Sequence, residues 1–68
     1  MARTYSVRAF DATGIVELGG ATAAYRAAAA TLADQAPPDH RLVQLTEVAR
    51  EVEVDSVKIS FVALFESV

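Results

Sequence analysis

Residues 57–65 alternate without a break. Val57, Ile59, Phe61, Ala63 and Phe65 form one set, Lys58, Ser60, Val62 and Leu64 the other. Period two is the signature of a β-strand with opposite faces. The first face is wholly apolar and demands a cover. The second starts polar and turns apolar at Val62 and Leu64, so Val62, Leu64 and the neighbouring Phe65 are the candidate interface residues. Any fold of this chain must therefore supply a layer for one face of this strand and a partner for the end of the other.

The cover is alanine-rich. Ala21, Ala24, Tyr25, Ala28 and Leu32 recur at helical spacing within Ala21 to about Ala33. Alanine is the best helix former, and a small-sided face lets a helix lie close to a sheet. Gly19-Gly20 breaks the chain before the helix. Pro37-Pro38 ends it, because the residue before a proline is pushed out of helical geometry.

A second alternation opens the chain. Tyr5, Val7 and Ala9 form an apolar face against Thr4, Ser6 and Arg8, with Phe10 on the polar side as a second contact surface. Asp11-Ala12-Thr13-Gly14 has type I turn chemistry. Ile15 to Leu18 then reads as a short strand completing a hairpin, or as a docking loop. Leu42 to Val54 carries two patterns at once. Leu42, Leu45, Val48/Ala49 and Val52 fit one helical face, with Asp39 as N-cap. The β-branched Val43, Thr46, Val48, Val52 and Val54 favour a strand. Asp55-Ser56 is the turn before the final strand, and Glu66-Ser67-Val68 is expected to fray.

These elements predict a single α+β domain over 1–68. It is a small antiparallel sheet of three strands, with a short fourth if Ile15–Leu18 is extended, packed on one helix.

The chain has 68 residues and no cysteine. Its one histidine, His40, cannot make a closed zinc site. A core this small rarely supplies more than about 3–5 kcal/mol without disulfides, metal or partner subunits. Yet 53% of the residues are hydrophobic, fourteen of them alanine. Association with further copies of itself is the remaining device. Net charge is −3, which argues against a nucleic-acid partner. No apolar run approaches the roughly 18 residues of a membrane helix. Thr4-Tyr5-Ser6 after Arg3 is unlike a secretory leader, so the expected compartment is the cytoplasm. Five arginines against one lysine, with abundant alanine, suit a GC-rich bacterial genome.

Candidate chemistry is sparse. His40 lies between Asp39 and Arg41 in an expected loop, and no nucleophile or acid–base constellation joins it. No catalytic residue is assigned. Glu47, Glu51, Glu53 and Asp55 form an acidic stretch around Arg50. It lacks the glycine and ligand pattern of an EF-hand, reads as a solvated charged edge, and yields no metal assignment. Gly14, Gly19 and Gly20 match no phosphate-binding loop.

Thr4-Tyr5-Ser6-Val7, Leu45-Thr46-Glu47-Val48, and Val54-Asp55-Ser56 with Lys58-Ile59-Ser60-Phe61 together resemble the dodecins, small flavin-binding proteins of similar length. The resemblance covers about half the chain. It implies a strand–helix–strand–strand fold and a hollow homo-dodecamer with a small planar ligand at an interface. Flavin-binding dodecins stack the ligand on a tryptophan in the second strand; Leu45 stands there in a chain without tryptophan. The resemblance thus implies Gln44 and Leu45 as ligand-binding residues, beside Phe61 or Phe65. FMN, FAD or riboflavin is then bound weakly or not at all. The alternative is a non-catalytic interaction module that oligomerises by pairing its last strand, Val57 to Phe65, with itself or with a larger partner.

Overall fold

A computed structural model describes residues 3–68. Strand β1 (Tyr5–Ile15) leads through one 3-10 turn (Val16–Leu18) to helix α1 (Ala21–Gln35), then to β2 (His40–Val52) and β3 (Ser56–Ser67). The sheet order is β1-β3-β2, with β3 antiparallel to both neighbours. β1 and β2 therefore run parallel with β3 inserted between them, a split β-α-β arrangement. The α+β architecture, one helix on a small antiparallel sheet, is as the sequence predicts. Leu42–Val52 is strand rather than helix.

β3 buries Val57, Ile59, Phe61, Ala63 and Phe65, all at 8% exposure or less. Ala12, Ala24 and Ala28 join Val57, Ile59 and Phe61 in one cluster, with Phe10, Ala21 and Leu45 packed on its margin. Glycine at position 14 is what lets the helix approach. A Cβ there would lie 2.0 Å from the Gly20 carbonyl oxygen and 2.5 Å from the Ala24 nitrogen. Gly20 is the residue before the helix, at φ 56°. Ala36 leaves it with extended ψ, as Pro37 requires.

Several expectations are corrected. Asp11–Gly14 is not a turn: β1 runs through it in unbroken register with β3, and Gly14 serves close backbone approach instead. Ile15–Leu18 is not a strand, so no fourth strand forms; it ends β1 and makes the 3-10 turn. The faces of β1 are exchanged. Phe10, Ala12 and Gly14 meet the helix, while Tyr5 and Val7 stay 57% and 60% exposed. The helix accepts the side of β1 that offers small residues at its N-terminus, and strand pleating then sends Tyr5, Val7 and Ala9 the other way. Phe10 is thus a core residue, stacked on Phe61 at 5.5 Å. The tail is paired: Ser67 N–H donates to the Thr4 carbonyl and Val68 N–H to the Asp39 carbonyl. β3, finally, is the central strand. Both its edges are occupied, so it has no free backbone edge with which to pair another chain.

The subunit is thin and long, 49 × 18 × 12 Å. Its radius of gyration is 13.5 Å, against about 11 Å for a compact chain of this length. Its accessible surface is 4607 Å², against about 4,100 Å² for a compact monomer of this mass. The cause is a length mismatch. A 15-residue helix spans about 22 Å, whereas a 12-residue strand spans about 40 Å. α1 lies on β1 and β3 and reaches β2 through Tyr25, leaving Leu42 and Val52 on the helix side of β2 exposed.

Candidate functional site

β2 reaches its final form through two bulges. Its register against β3 slips between Leu42 and Gln44 and again between Glu47 and Ala49, leaving Val43 and Val48 as the extra residues. Each bulge re-aims the strand by one residue. Leu42, Leu45, Glu47, Arg50 and Val52, which oppose Phe65, Ala63, Phe61, Ile59 and Val57, therefore all share the helix side.

On that side a polar network stands in the corner between α1 and β2. The Tyr25 hydroxyl donates to Glu47 Oε1 at 2.5 Å. Arg50 donates to both carboxylate oxygens, Nη2 to Oε1 at 2.8 Å and Nε to Oε2 at 3.3 Å. The Tyr25 ring meets Phe61 edge-on, with centroids 5.4 Å apart. The Arg50 hydrogen bonds, then that from Tyr25, hold the Glu47 carboxyl below its ordinary range. The hydrogen bond to Glu47, and after it loss of hydration, push the Tyr25 phenol up. The corner is open: Tyr25 is 44% exposed, and Leu45, two residues before Glu47 on the same face of β2, lies half-buried at the core margin. An aromatic ring, an aliphatic side chain and a fixed Glu47–Arg50 pair together suit a small planar ligand with hydrogen-bonding groups at its edge.

The two residues the dodecin resemblance marks for ligand contact do not come together. Leu45 opposes Ala63 on the helix side, whereas Gln44 opposes Leu64 on the other face. Gln44 Nε2 donates to the Thr46 hydroxyl at 3.3 Å. Within one subunit a single ligand cannot touch both side chains. Phe61 and Phe65 are each 1% exposed, so they back the site rather than line it. Of the interface candidates, Phe65 belongs to the core face. Val62 and Leu64 lie half-buried on the face away from the helix.

That face is read in cross-strand rows. From one end they are Tyr5–Glu66–Arg41, Val7–Leu64–Gln44, Ala9–Val62–Thr46, Asp11–Ser60–Ala49 and Thr13–Lys58–Glu51. Glu66 is 7% exposed. Arg3 and Arg41 both bond its Oε1, Arg41 at 3.0 Å. The Arg41 hydrogen bond, with the Arg3 charge behind it, keeps the Glu66 carboxyl below its usual range against the cost of burial. Lys58 pairs with Glu51 at 3.3 Å.

Elsewhere the sequence candidates disperse. His40 opens β2, and its Nδ1 lies 2.8 Å from the Pro38 carbonyl, a bond that orients the ring without a carboxylate. The acidic stretch is divided: Glu47 turns to Tyr25 and Arg50, Glu51 to Lys58. Among the described residues no three ligating side chains gather as for a metal ion. Among the described residues no helix is long and apolar enough to cross a membrane.

The Tyr25–Glu47–Arg50 network escapes sequence reasoning, because Tyr25 and Glu47 are joined only by tertiary folding. The one local signal is the helix-like spacing of Leu42, Leu45 and Val52 inside a β-rich segment, which marks the bulges. Comparison with protein families, characterised proteins and solved structures finds no match to this chain.

Proposed function

We propose that the chain is a non-catalytic, cytoplasmic building block of a homo-oligomer that binds or stores a small planar ligand, as the dodecins do, with flavin affinity reduced by Leu45. The supporting observation is the shape of the subunit. A radius of gyration of 13.5 Å goes with apolar side chains left exposed on both sheet faces, Val7 on one and Leu42 and Val52 on the other, which is the condition of a subunit cut from an assembly. The ligand is placed at the α1/β2 corner, between Tyr25, Leu45 and Arg50. A second copy would close the open side.

Titration of riboflavin, FMN and FAD with the purified protein, followed by flavin fluorescence, tests the ligand half of this reading. Weak, saturable quenching that weakens further in Arg50→Ala is expected. No quenching by any of the three removes flavin from the account.

A second reading keeps the self-association and drops the ligand: an interaction module that oligomerises through its C-terminal strand. The position of Val62 and Leu64 on a bare face favours it. Because β3 is central, the contact would be made face to face and not edge to edge.

A further inference from the structure

The sheet face away from the helix carries its own partner instructions. Its middle is apolar: Val7, Ala9, Val62 and Leu64 occupy two adjacent rows. Its two ends differ in charge. At one end the exposed Arg3 and Arg41 flank the buried Glu66, with Asp39 outside them beside Val68. At the other Asp11 adds one negative charge, since Lys58 and Glu51 in the next row cancel.

We propose that this face packs against the same face of a second copy, related by a two-fold axis that crosses the strands at right angles above Ala63. This rests on the homo-oligomer reading above and specifies its contact. The axis lays the Tyr5–Glu66–Arg41 row over the partner's Asp11–Ser60–Ala49 row. The exposed guanidinium groups of Arg3 and Arg41 then meet the partner's Asp11 end twice. The same axis sets the Val7–Leu64–Gln44 row on the partner's Ala9–Val62–Thr46 row, so the larger Leu64 and Val7 face the smaller Val62 and Ala9. A two-fold axis along the strands would instead stack Glu66 on Glu66, bringing the two arginine-bearing ends together and the two Asp11 ends together. Charge therefore selects between the two closed arrangements.

The area suffices. Three strands about 4.8 Å apart and rows extending over about 33 Å give a footprint that, with side-chain relief, buries roughly 1,000 Å² over two copies, the size at which specific contacts begin. Glu66 fits this account. Its carboxylate is already sheathed by Arg3 and Arg41, whose side chains are 62% and 63% exposed. The partner therefore meets guanidinium groups and not a buried carboxylate.

The chain has no cysteine, so single cysteines report contacts cleanly. Facing sheets about 10 Å apart place the two Ala9→Cys positions about 12 Å from each other, whereas Ile15→Cys positions across the same axis are more than about 40 Å apart. A bismaleimide of about 10 Å reach is expected to give covalent dimer from Ala9→Cys and at least tenfold less from Ile15→Cys. Val62→Lys/Leu64→Lys, with its far-UV spectrum retained, is expected to lower the mass in solution at least twofold. If the unsubstituted chain is a monomer, this proposal and the homo-oligomer reading both fall. If it is an oligomer, yet Ala9→Cys stays uncrosslinked, this face is not the contact and the homo-oligomer reading survives. Should the double-lysine variant unfold, the crosslinking comparison alone decides.

Discussion

Glu47 and Arg50 lie three residues apart on an extended strand and still face the same way, paired at 2.8 Å. On a regular strand they would point to opposite faces. The extra residue at Val48 restores the match, and Tyr25 closes the network from the helix. Removing Glu47 should therefore be felt at Tyr25. In a Tyr5→Phe background, where Tyr25 is the remaining tyrosine, ultraviolet titration should place its ionisation above the ordinary 10.0. Glu47→Gln should bring it down. An unchanged titration would mean that the bulge does not hold the pair.

Acid stability follows from two carboxylates. Glu47 and Glu66 are both held below 4.5. A depressed carboxyl contributes stability that is present above the unfolded value and lost as pH falls through the folded one. Urea midpoints should thus be flat above about pH 5 and decline below 4.5. Glu66→Gln should flatten part of that decline while lowering the midpoint at neutral pH. Tyr25 works in the opposite sense. Its raised phenol contributes stability below pH 10.0 that is lost as pH climbs through the folded value.

Gly14→Ala should be among the most damaging single changes. The added methyl would sit 2.0 Å from a backbone oxygen, which no rotamer relieves, so the helix must lift off the sheet. The expected loss is about 3 kcal/mol or more. Thr13→Ala, on the opposite face, should stay within about 0.5 kcal/mol of the unsubstituted chain. Denaturant midpoints of the two variants compare them directly, and equal midpoints would contradict the close approach.

Leu45→Trp tests the ligand corner. It places an indole beside the exposed Tyr25 ring and the fixed Arg50. Aromatic stacking of this kind is worth about 0.5–1.5 kcal/mol, so flavin affinity should rise roughly two- to tenfold. Gln44→Trp, on the other face, should not raise it. Equal effects of the two would dissociate the corner from any ligand.

What the sequence reveals here depends on how local the determining contact is. Val57–Phe65 and Ala24/Ala28 are legible because one element's periodicity states its buried face. β2 is ambiguous for a physical reason: two bulges impose a three-two spacing on a strand, and Leu42, Leu45 and Val52 then mimic a helix. β1 is misread because Tyr5, Val7 and Ala9 are the more apolar set, yet Gly14 and Ala12 alone admit the helix. The choice of face was made by steric access, which alternation does not encode. The strand order is likewise invisible locally, and it is what turns β3 from an edge into the centre. The Tyr25–Glu47 bond depends on all of these at once.

The exposed alternation of β1 has a use. An apolar set that the subunit's own helix leaves bare is what a second copy would cover, and Tyr5, Val7 and Ala9 stand beside Val62 and Leu64 on that surface.

The most direct test of the account is the mass of the purified chain in solution by light scattering, with absorbance recorded across the same peak. The account predicts one species at an even multiple of 7.2 kDa, twelve subunits if the dodecin resemblance extends to assembly. A single 7.2 kDa species that persists at high concentration would contradict it.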